Sequence, residues 1–316
     1  MRGRGIAAPP FFMKKALVVF LLSACIVPAR AAKLEVVSTI FPVYEFAREV
    51  GGSKTDVKML IIPGCEPHSF DPKPKDMVAL SKAAVFVYVG DAMEPWAADL
   101  ARGSGNKKLR VVNAGTGARF FDSAGHEDHD ADEHGHNHGT KDPHIWLDFD
   151  NARIMVDNIT AAFSSADASN AKYYAANAAT FKKQLTKLDA DFKKRLASCK
   201  TRTMLNLGHF SFGYMARRYN FEYLSAQGIR PDSEPSPKKV AELVTDVRSK
   251  KLKFVFTEEL LNPRFADVVA GETGAKVLKL NPLGGITKKD FTGGAGFIAL
   301  MRRNLDIMAK GLQCGK

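Results

Sequence analysis

The chain has 316 residues, enough for two cores of ordinary size, and its 45% hydrophobic and 25% charged composition excludes collagen-like repetition and wholesale disorder. Its formal charge is +12 at pH 7, but Arg2, Arg4, Lys14, Lys15 and Arg30 all fall in the first 31 residues, which contain no acid. The remaining basic residues are scattered along amphipathic segments with no stripe interleaved with aromatics, so nucleic acid is not an expected partner.

Residues 1–31 read as an export signal. Lys14 and Lys15 precede an apolar run over 16–22 that continues to Val27, and Pro28-Ala29-Arg30-Ala31 supplies a small-x-small cleavage site. Met13 makes a normal start for such a signal. Leu22-Ser23-Ala24-Cys25 also matches a lipobox, which would make Cys25 a lipidated N-terminus; cleavage near Ala31 is the preferred of the two readings. The run is too short to span a bilayer, and no later segment approaches the required ~20 apolar residues. Export permits disulfides. Cys199 and Cys314 bracket one predicted domain and form the plausible pair, with Cys65 left as a lone thiol; three free, buried thiols is the alternative.

From residue 34 short apolar runs alternate with amphipathic stretches, the pattern of an α/β domain. Strands are expected at 34–40, 57–62, 84–89 and 109–112, with helices near 43–51, 75–83 and 93–102. The alternation resumes with strands near 203–207, 221–225, 253–257 and 276–280 and helices near 211–219, 237–250, 263–273 and 296–312. Between the two halves, 150–164 reads as one helix and 168–198 as a longer one. In the latter Tyr173, Ala176, Phe181, Leu185, Leu188, Phe192 and Leu196 recur near the helical period, with no Pro or Gly to interrupt them. Thirty helical residues span ~45 Å, so the expectation is two βα lobes with a metal cleft between them, joined by a long, rigid backbone helix. The divisions are a signal peptide at 1–31, a first lobe at 32–166, a linker helix at 167–198 and a second lobe at 199–316.

Residues 126–138 break this order. They contain His126, His129, His134, His136 and His138 among five acids, with no apolar side chain beyond Ala131, so they can form no core and read as a loop within 121–141. The other three histidines stand in Gly- or Pro-punctuated loops. His68 follows a predicted strand in Pro63-Gly64-Cys65-Glu66-Pro67-His68, His144 lies in Asp142-Pro143-His144-Ile145-Trp146, and His209 follows a strand of the second half. Ligands of open α/β sheets bind at the carboxyl ends of strands. Three neutral imidazoles plus one further donor complete a tetrahedral zinc site.

These motifs carry a resemblance. Pro67-His68-Ser69-Phe70-Asp71-Pro72, Asp142-Pro143-His144-Ile145-Trp146-Leu147-Asp148 and Gly208-His209-Phe210-Ser211-Phe212-Gly213-Tyr214 are similar to those of the zinc- and manganese-binding proteins of ABC importers, the ZnuA and TroA types, over nearly the whole mature chain. The resemblance implies that His68 and His144 are first-lobe ligands and His209 the second-lobe ligand, and histidine there favours zinc over manganese. It implies high-affinity Zn²⁺ capture in the periplasm, delivery to a membrane permease, a monomeric protein and no catalysis. Where family members often carry an aspartate before Pro-Leu-Gly, this chain has Asn281, so water, Asn281, Glu66 or a loop histidine is left as the fourth ligand. Carboxylates should fix the imidazole tautomers, with Glu258 a candidate. The histidine-rich loop would be accessory, gathering zinc weakly. A metal-dependent hydrolase is the main rival, but no His-Glu-x-x-His or Gly-x-Ser-x-Gly motif is present. An adhesive role has no sequence feature to support it.

Overall fold

The computed structural model describes residues 32–121, 141–231, 234–262 and 264–315. The expected signal segment, with Cys25, and the loop histidines 126, 129, 134, 136 and 138 lie outside the described residues.

The first lobe is a parallel sheet of β1 (Leu34–Ser38), β2 (Thr55–Met59), β3 (Val85–Tyr88) and β4 (Arg110–Asn113) in the order β2-β1-β3-β4. Helices α1 (Phe41–Gly51), α2 (Pro74–Lys82) and α3 (Ala97–Gly103) make the crossovers. The second lobe repeats the plan with β5 (Thr203–Asn206), β6 (Glu222–Ser225), β7 (Phe254–Glu258) and β8 (Lys276–Leu280) in the order β6-β5-β7-β8. In each sheet the chain reverses its direction of travel beside the first strand, so a crevice opens at the strands' carboxyl ends.

Between the lobes run α4 (Phe149–Ala166) and α5 (Ala171–Leu196). The 26 residues of α5 span ~39 Å at 1.5 Å per residue. Its start is later than expected because Ala168–Asn170 forms a 3-10 turn. The buried stripe is Tyr174, Ala178, Phe181, Leu185, Leu188, Phe192 and Leu196. Ala176, expected on that stripe, is exposed, and Tyr173 is only half-buried. Spacings of three and four residues keep the stripe on one side of the helix, where it meets both lobes. Phe46 of α1 packs its ring on Phe181 of α5 at 5.5 Å between centroids. Its edge also meets Phe297 at 4.9 Å, at the start of α10 (Phe297–Gly311) in the second lobe. One buried cluster therefore runs through both lobes, including Phe149, Phe192, Met204, Tyr214 and Leu280.

The remaining helices of the second lobe are α6 (Gly213–Arg218), α7 (Pro237–Ser249), α8 (Arg264–Thr273) and a short α9 (Lys288–Thr292) that sequence patterning does not suggest. Five residues make less than one and a half helical turns, too few for an amphipathic pattern to repeat. Cys199, just after α5, is disulfide-bonded to Cys314, beyond α10, while Cys65 is a free, exposed thiol. Among the described residues no helix is long and apolar enough to cross a membrane.

Candidate metal centre

Three loops bring His68, His144 and His209 together. His68 sits in a 3-10 turn, Pro67–Ser69, in the loop after β2, where Glu66 Oε1 accepts the His68 backbone N–H at 3.2 Å. His144 directly precedes a second 3-10 turn, Ile145–Leu147, that leads into α4. His209 lies in the loop after β5, beside the switch point where β5 meets β7.

Their Nε2 atoms converge: His144 Nε2 is 3.3 Å from that of His68 and 3.0 Å from that of His209, and one nitrogen from each ring falls within a common 4.8 Å. A tetrahedral Zn²⁺ with Zn–N near 2.05 Å places its ligand nitrogens roughly 3.3 Å apart. The trio therefore needs only small ring movements to enclose such an ion. The cavity at their meeting point has a volume of 20 Å³, bordered also by Glu66, Glu258 and Asn281. That is room for about one water, and too little for a sugar or amino acid.

Two of the three rings are braced from behind. His144 Nδ1 lies 2.7 Å from Asp142 Oδ1, which also accepts the His144 backbone N–H at 3.0 Å. His209 Nδ1 lies 2.8 Å from Glu258 Oε2, a charge-pair contact in which the ring nitrogen is out of line for a hydrogen bond. A carboxylate on Nδ1 holds the proton there and leaves the Nε2 lone pair for a metal. Both pairs are buried. For His68, half-buried at the open side, no such carboxylate brace is found among the described residues.

Burial, reinforced by the neighbouring imidazoles, pushes His68 down to about 2. Burial likewise holds His144 well below the ordinary histidine range. Burial also acts to lower His209, but the Glu258 carboxylate outweighs it and the net direction is upward. Asp142 is raised to about 7, chiefly by burial. The centre thus offers two rings held neutral, His68 and His144, and a third, His209, whose Nε2 proton a divalent cation would have to displace.

The family model for ZnuA, the periplasmic component A of a zinc-uptake complex, matches residues 36–311. The chain belongs to the ZnuA family. It is 37% identical over 287 residues to the zinc-binding protein AdcA of Streptococcus pyogenes serotype M18, a match covering 87% of this chain and 55% of AdcA. The chain thus spans about half the length of the first curated relatives it matches. With the high-affinity zinc uptake system protein ZnuA of Bacillus subtilis it shares 33% identity over 286 residues, covering 90% of this chain and 89% of that one. The Zn(II)-bound ZnuA-like domain of Streptococcus pneumoniae AdcA superposes with a TM-score of 0.75 at 29% identity, covering 89% of this chain and 99% of that one.

Against this family background the other candidate ligands take definite positions. Asn281 reaches the cavity wall, but its amide oxygen accepts the Leu283 N–H at 2.7 Å and its amide nitrogen donates to Glu259 Oε2 at 2.9 Å. It holds a turn, with both ends of the amide engaged. Glu66 also lines the cavity and is tied to the His68 backbone. Glu258 ends β7, buried, and accepts from Asn206 Nδ2 at 3.0 Å. Its room comes from Gly208, where a Cβ would sit 2.2 Å from Glu258 Oε1. Asp142 escapes a sequence reading as a brace for His144. The available signal is its place two residues before the histidine, with Pro143 restricting the backbone between them. Tyr214 OH then fixes the segment by donating to the Asp142 carbonyl oxygen at 2.9 Å.

Proposed function

We propose that this chain captures Zn²⁺ outside the inner membrane and hands it to the permease of an ABC importer, without catalysing a reaction. The observation that carries the reading is the convergence of three buried or half-buried imidazole Nε2 atoms, two of them 3.0 Å and 3.3 Å from the third, in a one-water cavity. His68, His144 and His209 are the ligands in this proposal, and a water completes the tetrahedron, because both ends of the Asn281 amide are engaged elsewhere. Three imidazole nitrogens and one water in a small site suit Zn²⁺; Mn²⁺ favours oxygen donors and six-fold coordination. The names of the relatives, zinc-binding AdcA and zinc-uptake ZnuA, support the same cargo, and the family description supports a periplasmic location. His126, His129, His134, His136 and His138 are proposed as weaker accessory sites, on composition alone. The protein works as a monomer in this reading.

Calorimetric titration of metal-stripped mature protein with Zn²⁺, and in parallel with Mn²⁺, tests it. One tight zinc site lost in His209→Ala, with much weaker manganese binding, is the expected result. Tight binding of neither ion would end the proposal, and equal losses from His209→Ala and from deletion of 126–138 would move the principal site to the loop.

A further inference from the structure

Asn206 is a fully buried asparagine at the last position of β5, where the strand's neighbours Met204 and Leu205 are apolar. Its Oδ1 has no hydrogen-bond partner among the described residues. A buried carbonyl oxygen left unsatisfied is destabilising, and an apolar residue of similar size would avoid that cost. The retained asparagine is explained by its other end. Asn206 Nδ2 lies 2.9 Å from the His209 carbonyl oxygen, 3.0 Å from Glu258 Oε1 and 3.2 Å from Tyr223 Oη. The first two accept only, which fixes the orientation of the amide and uses both of its hydrogens. Tyr223 Oη is satisfied separately, accepting from Phe212 N at 3.3 Å and donating to the His209 carbonyl at 3.2 Å.

We propose that Asn206 is a positioning residue for metal binding, setting His209 from both its ends. One N–H holds the backbone carbonyl of His209. The other holds the carboxylate whose second oxygen stands 2.8 Å from His209 Nδ1. Ring direction and ring tautomer are thereby fixed by a single side chain that touches no metal. The Ser211 hydroxyl, 3.4 Å from the same Glu258 oxygen, is a longer contact and cannot replace both bonds. This inference rests on the zinc reading of the site, and deepens it by assigning the rigidity of the second-lobe ligand to a residue outside the coordination sphere.

The test is a double-mutant cycle on the mature protein with zinc affinity as the readout, measured by competition with a chromophoric chelator. The variants are Asn206→Leu, which refills the volume, His209→Ala, and the two combined. Asn206→Ala replaces the leucine variant if the latter does not give a cooperative thermal transition. The expected result is a roughly 10–100-fold weaker zinc site in the Asn206 variant, and no further loss when the same change is made on His209→Ala. An equal additional loss on the His209→Ala background would assign Asn206 a general structural role and overturn the proposal. Unchanged affinity in the Asn206 variant would overturn it as well. Failure of the unmutated protein to bind zinc tightly would instead sink the function itself, so the two failures are separable.

Discussion

Trp146 donates its indole N–H to the carbonyl oxygen of Pro282 at 2.7 Å. The donor lies two residues after His144, and the acceptor lies in the Asn281–Leu283 turn on the far wall of the cavity. The bond ties the His144 segment to a turn that lines the cavity, from a fully buried ring. Trp146→Phe keeps an aromatic ring and leaves the Pro282 oxygen without this donor. A stability loss of about 1–3 kcal/mol is expected, read as a lower urea midpoint with an unchanged m-value.

The carboxylate braces should matter through the rings they hold. Glu258→Gln keeps the volume and removes the charge behind His209. Asp142→Asn does the same behind His144. Each is expected to weaken zinc binding roughly 10–100-fold while far-UV circular dichroism stays unchanged. Zinc affinity equal to the unmutated protein in both variants would show that the braces do not tune the ligands.

A charge cluster ties the second lobe to the two long helices. Arg218 of α6 pairs with Asp189 of α5 at 2.7 Å and with Asp148 and Asp150, at the start of α4, at 3.0 and 2.9 Å. Burial alone would raise Asp189, but hydrogen bonds from Arg218 and Lys193 outweigh it and hold the carboxyl at about 2. An Asp carboxyl in an unfolded chain has a pKa near 3.9. The unfolded state therefore takes up the proton first as pH falls. The stabilisation is full above about pH 5 and is lost as pH drops through about 2. Arg218→Met should cost about 3 kcal/mol at neutral pH by leaving half-buried carboxylates unpaired. In thermal scans the gap between variant and parent should narrow steadily towards pH 2. A gap independent of pH would assign the loss to packing.

The Cys199–Cys314 bond closes a loop with a sequence separation of 115 residues. Constraint of the unfolded chain over such a span is worth roughly 2–5 kcal/mol. The double serine variant, or the reduced protein, should unfold at correspondingly lower urea concentration. Zinc affinity should hold below its new midpoint, since neither cysteine borders the metal centre.

Much of this architecture is legible in the sequence. All eight strands of the described residues fall where apolar runs alternate with amphipathic ones, to within two residues at most ends. The three histidines stand out because each sits in a Gly- or Pro-marked loop, and two of those loops follow a strand. What stays hidden depends on directions that one-dimensional patterns do not carry. Ala176 fits the helical period loosely but faces solvent. Asn281 fits a ligand position by family resemblance, yet its oxygen closes its own turn on Leu283. Asp142 and Asn206 act through a neighbour's ring or backbone, and Asn206 reads simply as a polar residue in a strand. In the sequence the disulfide is one pairing among alternatives; the fold decides it by setting Cys199 and Cys314 side by side in an antiparallel bridge.

The absent side chain at Gly208 carries a consequence for inheritance. Glu258 occupies space that any Cβ at 208 would take, at 2.2 Å from Oε1. A single-nucleotide change from glycine to alanine there would push the acid out of place behind His209 while every donor atom survived in the gene. Such a variant would keep all three imidazoles and still be expected to bind zinc more weakly. A search among natural variants for weakened zinc binding should therefore weigh this position, which bears no donor atom, alongside the histidines themselves.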